Sequence, residues 1–330
     1  MKVAVAGLGW WGKQIIRSLA ASPKFEVVSG VDPVPPGDAA AFAADHRITI
    51  ETDLATVLAS PAIEGVILAT PHLLHEEQVL AAVAGGKHVF CEKPLTMTGA
   101  GAQKMVDACT KAGTVLGIGH ERRWEPAFEE LGRLIRTGAL GVIQHFEANV
   151  SHDILRPLPP GSWRLDPIHA PAGLMTGVGI HLTDLFISFV GPASTVSAET
   201  ARMIFQAPAD DFVTARIRFK SGVHAVITGL SATPYYGRVT VFGDIGWAEV
   251  IAEANVDQGK PTVLIHSDGK VRNRHSYEAT DTVRLNFEAW ADAIAGNTPY
   301  RFTPEQLVEN VRVFEAIVSS SNNGGTTVVL

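Results

Sequence analysis

Short apolar runs alternate with amphipathic stretches over the first third of the chain. The runs typical of strands are residues 3–6, 25–31, 65–69, 88–91 and 114–118. The stretches with helical periodicity between them include residues 13–21, 75–84 and 100–112. Because strands and helices alternate at this pitch, the pattern predicts βαβ units and a doubly wound parallel sheet with helices on both faces.

The pattern changes after Gly119, where strands follow one another with few helices between them. After a helix over residues 126–136, strand patterns occur at residues 142–150, 195–203, 212–219, 223–229, 238–242 and 247–251. Short turns such as Lys220-Ser221-Gly222 join some of them, which predicts antiparallel pairing. Two helices and a short strand complete the chain, at residues 283–295, 304–319 and just before the end.

The change of pattern near residue 120 divides this α/β chain into two domains. Residues 1–120 form the domain with the parallel sheet, and residues 121–330 form an α+β domain with a largely antiparallel open sheet. Apolar and polar residues alternate along residues 212–219, so one face of that sheet is free to cover a partner. We therefore expect a homodimer or homotetramer that associates through the C-terminal sheet.

Composition excludes several classes of partner. The chain has 330 residues, 46% of them hydrophobic, and 27 Lys and Arg against 34 Asp and Glu, for a net charge of -7. This acidic balance argues against binding nucleic acid or anionic lipid, and no apolar run reaches the roughly 18 residues of a membrane span. With two cysteines, Cys91 and Cys109, and no secretory signal at the N-terminus, we expect a cytoplasmic protein.

Gly7-Leu8-Gly9-Trp10-Trp11-Gly12 is a G-x-G-x-x-G string between a predicted strand and a predicted helix. This context is that of the Rossmann dinucleotide-binding domain. Gly7 allows a tight turn, Gly9 lets the backbone approach a pyrophosphate, and Gly12 permits close packing of helix against strand. Because the first N–H groups of the helix bind phosphate, the string predicts a dinucleotide site in the N-terminal domain.

Asp32 ends the second predicted strand and indicates which dinucleotide binds. Its carboxylate accepts hydrogen bonds from ribose hydroxyls and repels a 2′-phosphate, and no Arg or Lys follows within residues 33–37. We therefore expect NAD rather than NADP as the cofactor. Trp10 and Trp11 fill the variable positions of the string, where capping of the cofactor and ordinary packing are both open.

Two further strand ends carry polar residues. Residues 65–69 are followed by Thr70, Pro71, His72 and His75, and residues 88–91 are followed by Glu92, Lys93 and Pro94. In open parallel sheets, ligands bind beyond the carboxyl ends of the strands, so we expect these side chains to line the cofactor cleft. The histidines and cysteines lack the His-x-x-x-His and Cys-x-x-Cys spacings, so we expect no metal.

Residues 85–95, Gly-Gly-Lys-His-Val-Phe-Cys-Glu-Lys-Pro-Leu, resemble the A-G-K-H-V-x-x-E-K-P-L segment of the glucose–fructose oxidoreductase/inositol dehydrogenase (Gfo/Idh/MocA) family. The glycine string, Thr70-Pro71 with His75, and residues 119–123 also match that family in order and spacing, so the resemblance covers essentially the whole chain. It implies an oxidoreductase that moves hydride between a nicotinamide and a hydroxyl or keto carbon of a sugar, sugar derivative or cyclitol.

The resemblance also implies roles for individual residues. Lys93 matches the family's proton donor and acceptor, and His181 matches its catalytic-site histidine. Glu92 matches the glutamate on the cofactor side, and the Lys93-Pro94 peptide is expected to be cis. The candidates for substrate binding are Lys93 and His181, together with four residues that are equally compatible with a surface or interface position, namely Arg122, Asn149, His152 and Tyr236. Groups of this kind suit a small polyhydroxylated or carboxylated ligand.

One departure from the family lies four residues before His181. Dehydrogenases of the family commonly have an aspartate at this position, and this chain has Gly177. A carboxylate of the substrate, Glu121 or Asp153 are candidates to replace it, and weakened chemistry is a further alternative. Two other functions therefore stay open: a regulator of the same fold that senses a nucleotide or metabolite, and a lyase, hydrolase or epimerase that recycles tightly bound NAD.

Overall fold

A six-stranded parallel sheet forms the centre of the first unit in the computed structural model, which describes residues 1–206 and 208–330. Its order is β3-β2-β1-β4-β5-β6, with β1 Lys2–Ala6, β2 Glu26–Val31, β3 Thr49–Glu51, β4 Gly65–Leu68, β5 His88–Cys91 and β6 Leu116–Ile118. The helices between these strands are α1 Trp10–Leu19, α2 Ala39–His46, α3 Leu54–Ala59, α4 His75–Ala84 and α5 Gly99–Ala112. Strands β1, β4, β5 and β6 are mostly buried and apolar, as strands covered on both faces must be, whereas the edge strand β3 is not buried.

A helix from late in the chain also belongs to the first unit, which comprises Met1–Glu121 and Asp281–Val308. The predicted boundary near residue 120 places residues 281–308 in the second domain. Helix α8, Thr282–Ile294, instead packs Phe287 and Trp290 against Phe25 and Phe90. Both large aromatic side chains are fully buried there, so hydrophobic burial accounts for the return of the chain to this sheet.

The second unit, Arg122–Thr280 with Glu309–Leu330, contains a nine-stranded sheet of order β14-β13-β12-β11-β7-β10-β9-β8-β15. The strands are β7 Ile143–Ser151, β8 Ala193–Ala201, β9 Phe212–Phe219, β10 His224–Leu230, β11 Tyr236–Gly243, β12 Trp247–Ala252, β13 Thr262–Ser267, β14 Arg272–Tyr277 and β15 Val328–Val329. The pair β7 and β10 is parallel and the other pairs are antiparallel. Helices α6 Pro126–Arg136 and α7 Ile180–Val190 belong to this unit, and α9 Pro304–Asn322 runs from the first unit into it.

The predicted fold class is confirmed: a doubly wound parallel sheet is followed by a largely antiparallel one. The elements that the sequence pattern did not indicate include α2, β3, α3, β13 and β14. Strand β14 reads Arg-Asn-Arg-His-Ser-Tyr and is exposed at the sheet edge, so it lacks the apolar alternation of a half-buried strand. Across the described parts of the chain, none of the helices combines the length and the apolar character needed to cross a bilayer.

Candidate active site

The glycine string forms the turn between β1 and α1, and each glycine has a distinct steric environment. Gly7 has φ +94°, and a Cβ there would lie 2.5 Å from the carbonyl oxygen of Ala69. A Cβ on Gly12 would overlap the carbonyl oxygen of Gly7, whereas a Cβ on Gly9 would meet no atom within 4 Å. Gly9 precedes the first turn of α1 without a side-chain cap, which leaves N–H groups available for an anion. The turn therefore fits the pyrophosphate of a dinucleotide.

Asp32 lies at the carboxyl end of β2, and the backbone fixes its carboxylate against the glycine turn. One carboxylate oxygen accepts the N–H of Leu8 at 2.9 Å, and the other accepts the N–H of Val34 at 3.0 Å. Each oxygen keeps a lone pair for a further donor. The position beside the glycine turn suits a carboxylate that accepts hydrogen bonds from ribose hydroxyls.

The two tryptophans of the string have different surroundings. Their rings are 5.4 Å apart, yet Trp10 is 59% exposed while Trp11 packs against the core of the first unit. The indole N–H of Trp11 donates a hydrogen bond to the Glu92 carboxylate. Trp11 is therefore a packing residue. The ring of Trp10 is exposed and is the one available to cap a ligand.

His75 connects the ends of β4 and β5. Its ring is fully buried, with Nδ1 2.8 Å from the carbonyl oxygen of Pro94 and Nε2 3.0 Å from that of Thr70. Burial lowers the pKa of the ring, while these carbonyl groups act in the opposite direction. Because both nitrogens face backbone oxygens, His75 holds the two strand ends together rather than facing a ligand. His72, in the turn Pro71–Leu74, is partly exposed, and its ring lies 5.8 Å from that of His75.

Glu92 is a buried carboxyl group beside Lys93 at the end of β5. It is 6% exposed, and burial, followed by the charge of Glu121, raises its pKa to about 7. Lys93, the Trp11 hydrogen bond and the Lys93 backbone N–H, 3.3 Å from Oε2, act in the opposite direction. A Cβ on Gly119 would overlap this carboxylate, so glycine after β6 makes room for it. The Lys93-Pro94 peptide is cis, as the resemblance implies.

In the second unit, His181 lies in the first turn of α7, directly after a π-helical turn, Met175–Gly179. The histidine is buried. Asp184, one turn later, is bound by Arg123: Nε donates to Oδ2 at 2.7 Å and Nη2 donates to Oδ1 at 2.6 Å, with both side chains buried. This ion pair fixes the turn of α7 that carries the histidine.

Gly177 leaves open space within the π-helical turn. A Cβ there would meet only the Cδ1 of Ile154, at 3.8 Å, so a side chain is sterically allowed. Of the two side chains of this protein that are candidates to replace the family aspartate, Asp153 pairs with Arg156 in its own loop, with 3.3 Å between Oδ2 and Nε. The other, Glu121, belongs to the first unit, where its charge acts on Glu92.

Some of the substrate-binding candidates lie together in the second unit. Arg122, Asn149 and Tyr235 are among the residues that line a recess beside β7, β11 and β12. Arg122 is buried and donates to Glu125 at 3.0 Å and to Asn255 at 3.1 Å, so a large part of its hydrogen-bonding capacity is used within the protein. The ring of His152 lies 5.3 Å from that of Tyr235.

Tyr235 was not predicted, and its neighbour Tyr236, which was, is half exposed at the start of β11. Successive strand residues point to opposite sides, and the sequence motif alone did not indicate which tyrosine faces the recess. In the described residues, no cluster of three His, Cys, Asp or Glu side chains is arranged to hold a metal ion.

Comparison with known proteins gives matches along most of the chain. The model GFO_IDH_MocA, "Oxidoreductase family, NAD-binding Rossmann fold", matches residues 1–120, and the "GFO/IDH/MocA C-terminal domain" matches residues 128–249. A 1,5-anhydro-D-fructose reductase of Ensifer adhaerens is 34% identical over 86% of each chain. A scyllo-inositol 2-dehydrogenase (NADP(+)) of Bacillus subtilis is 26% identical over 83% of this chain and 81% of its own. The solved structure of an aldose-aldose oxidoreductase from Caulobacter crescentus superposes with a TM-score of 0.87 at 23% identity, covering 100% and 99% of the two chains.

Proposed function

The chain belongs to the Gfo/Idh/MocA family of NAD(P)-dependent sugar and cyclitol oxidoreductases, and from this premise we propose that it is an NAD-dependent dehydrogenase or reductase. Its reaction transfers hydride between the nicotinamide and a hydroxyl or keto carbon of a sugar, sugar derivative or cyclitol. Lys93 is the proton donor and acceptor, and His181 assists it at the substrate.

The observation that carries this proposal is the arrangement of three strand ends in one parallel sheet. The glycine turn follows β1, Asp32 follows β2, and Lys93 follows β5, all at the carboxyl edge. Ligands of such sheets bind at this edge, where the strand order reverses. The proposed dinucleotide-binding residues (the glycine turn and Asp32) and the proposed proton donor and acceptor, Lys93, therefore lie at the same edge of the same sheet.

The chemistry divides between the cofactor and the protein. The nicotinamide, when bound, accepts or supplies the hydride. In the oxidative direction the amine of Lys93 takes the hydroxyl proton as the carbon loses hydride, and in the reductive direction the ammonium returns that proton to the oxygen. A carboxylate at Glu92 stabilises the ammonium form of Lys93, whereas a protonated Glu92 does not.

His181 has the second polar role. Its position in the first turn of α7 is held by the Arg123–Asp184 pair, which suits a side chain that must orient a substrate hydroxyl. The named relatives act on an anhydro sugar and an inositol, and both support a polyhydroxylated substrate for this chain. Binding of such a ligand depends on multiple hydrogen-bond donors and acceptors, which Asn149, His152 and Lys93 supply.

We assign NAD rather than NADP because of Asp32. A carboxylate held by the backbone N–H groups of Leu8 and Val34 cannot turn away from a ribose 2′-phosphate without losing both hydrogen bonds. The B. subtilis relative uses NADP(+), so this choice is a property to be measured for this chain itself.

A panel assay tests the function and separates it from the two alternatives. NADH absorbance is followed with sugars, sugar acids, anhydro sugars and cyclitols, in both directions, together with product analysis. Substrate-dependent formation or consumption of free NADH supports the proposal. Turnover without net NADH change identifies an enzyme that recycles its cofactor. Dinucleotide binding with no turnover across the panel favours a regulator.

We also propose that the protein is a cytoplasmic homodimer or homotetramer that associates through one face of the nine-stranded sheet. The alternation of buried and exposed residues along β9 supports a sheet with one face packed internally and one available to a second copy. Light scattering after size-exclusion chromatography measures the mass, and a value equal to 35.2 kDa would contradict the assembly.

A further inference from the structure

Lys13 directly follows the glycine string, and its ammonium forms an ion pair with Asp38, the residue before α2. The lysine side chain is only 10% exposed, whereas that of Asp38 is 69% exposed. The hydrogen bond from Lys13 holds the pKa of Asp38 below its usual value, so this carboxyl group is ionised at neutral pH. Asp38 makes no side-chain hydrogen bond to the start of α2, so its main contact is with Lys13 rather than with its own helix.

The surroundings of this pair are basic and aromatic. The Lys13 ammonium lies 5.6 Å from the centre of the Phe42 ring, and the guanidinium carbon of Arg17 lies 5.3 Å from the same centre. Arg17 also contributes to the lowered pKa of Asp38. Lys13 and Arg17 on α1 therefore both act on the carboxylate of Asp38, in the connection that leads into α2. Asp38 forms its ion pair with Lys13, the more buried of the two cations.

The same connection begins with Asp32, whose carboxylate is hydrogen-bonded to the glycine turn. Residues 33–37 are Pro-Val-Pro-Pro-Gly and supply no cation. A ribose 2′-phosphate is a dianion that needs a cation, and cations on α1 are candidates to provide it. Asp32 and Asp38 thus lie at the two ends of one short connection, one facing the glycine turn and the other facing Lys13.

We propose that Asp38 is a second determinant of cofactor choice, because its ion pair with Lys13 withholds the ammonium from a ribose 2′-phosphate. This inference rests on the proposed NAD-dependent function and extends it to two residues outside the glycine string and Asp32. Asp32 repels the 2′-phosphate directly, whereas Asp38 occupies the cation that would attract it. Without Asp38, Lys13 is a positive charge adjacent to the cofactor turn.

Fluorescence titration with NADH and NADPH tests the inference without any substrate, since Trp10 and Trp11 lie in the cofactor turn and report binding. For Asp38→Asn we expect the Kd for NADPH to fall about fivefold relative to that for NADH, the size of effect typical of one exposed charge pair. In Lys13→Met/Asp38→Asn the gain disappears, because methionine keeps the packing on Phe42 and removes the charge.

Asp292→Asn is the matched control. Asp292 also pairs with a lysine in the first unit, with 2.6 Å between Lys24 Nζ and Asp292 Oδ2, so this variant makes the same charge change away from the cofactor turn. We expect it to leave the NADPH to NADH ratio as in the wild type. An unchanged ratio in Asp38→Asn, or a gain that survives loss of Lys13, would overturn the inference while tight NADH binding still supports the function. A wild type that binds neither dinucleotide would overturn both.

Discussion

Two buried carboxyl groups lie close in sequence to the two residues proposed for catalysis, and the charges that surround them differ. Asp184, one turn after His181 in the second unit, is bound at both oxygens by Arg123. Glu92, immediately before Lys93 in the first unit, is buried near the negative charge of Glu121, and its pKa is raised to about 7. The first carboxylate is held in a bidentate ion pair, whereas the second changes charge near neutral pH.

The difference follows from the neighbours of each group. A bidentate guanidinium compensates the loss of hydration of Asp184. Glu92 has the N–H groups of Trp11 and Lys93 on one side and the negative charge of Glu121 on the other, so burial is only partly compensated. The pKa of Glu92 is therefore raised because its partners compensate its burial only in part.

The largest loss of stability is expected from breaking the ion pair between Arg123 and Asp184. Asp184→Asn leaves the Arg123 guanidinium buried without its counter-charge, and should lower the free energy of unfolding by about 3–5 kcal/mol. Urea denaturation followed by circular dichroism measures this value.

Two further variants control that experiment. Glu130→Gln breaks a more exposed pair of the second unit, Glu130–Arg133, and should cost less than about 1 kcal/mol. Arg123→Met/Asp184→Leu removes both charges and should recover most of the loss, since an apolar replacement of a buried pair is often nearly neutral. A loss in Asp184→Asn no larger than that in Glu130→Gln would contradict the role of the pair.

Replacing Glu92, whose burial is only partly compensated, should change the free energy of unfolding in a pH-dependent way. The pKa of Glu92 is raised from 4.5 to about 7 in the folded protein, so the folded state binds more protons than the unfolded state between these values. The wild type therefore loses stability through this group as pH rises from about 4.5 to about 7, by about 3 kcal/mol in total at 1.36 kcal/mol per pH unit.

Glu92→Gln does not titrate and should lack this loss. Urea denaturation at intervals between pH 5 and 8 should show the variant gaining stability relative to the wild type as pH rises. Parallel curves for the two proteins would mean that Glu92 is ionised throughout the range, and the contrast with Asp184 would be lost.

The smallest effects compare a glycine of each unit. A Cβ on Gly12 would overlap the carbonyl oxygen of Gly7, so Gly12→Ala should lower the free energy of unfolding by about 1–3 kcal/mol and weaken NADH binding. A Cβ on Gly177 has room, and Gly177→Ala should be neutral or raise the free energy of unfolding by up to about 1 kcal/mol. Equal losses of unfolding free energy in the two variants would show that a side chain does not fit at Gly177 either.

Local patterns were sufficient to predict the fold class and the position of the glycine turn between β1 and α1. The glycine string, Asp32 and Lys93 each lie within a few residues of a recognisable strand. The predicted division of the chain differed from the observed units at residues 281–308, because a helix pattern alone does not indicate which sheet its apolar face covers.

The partners of the buried charges could not be predicted in this way. Arg123 and Asp184 are 61 residues apart in sequence, and Lys13 and Asp38 are 25 apart, so no periodicity connects them. In the structure, both carboxylate oxygens of Asp184 accept hydrogen bonds from Arg123. Such pairs depend on tertiary packing, which fixes distances between side chains only once both elements are in place.

Lys93→Ala tests the central claim most directly, measured as turnover of the best substrate from the panel together with the Kd for NADH. Lys104→Ala removes an exposed lysine of the same unit, paired with Glu76, and serves as the control. We predict that Lys93→Ala lowers kcat at least about 100-fold while the Kd for NADH stays near that of the wild type, with Lys104→Ala unchanged in both. A Lys93→Ala protein that turns over at a near-normal rate while binding NADH normally would contradict the account.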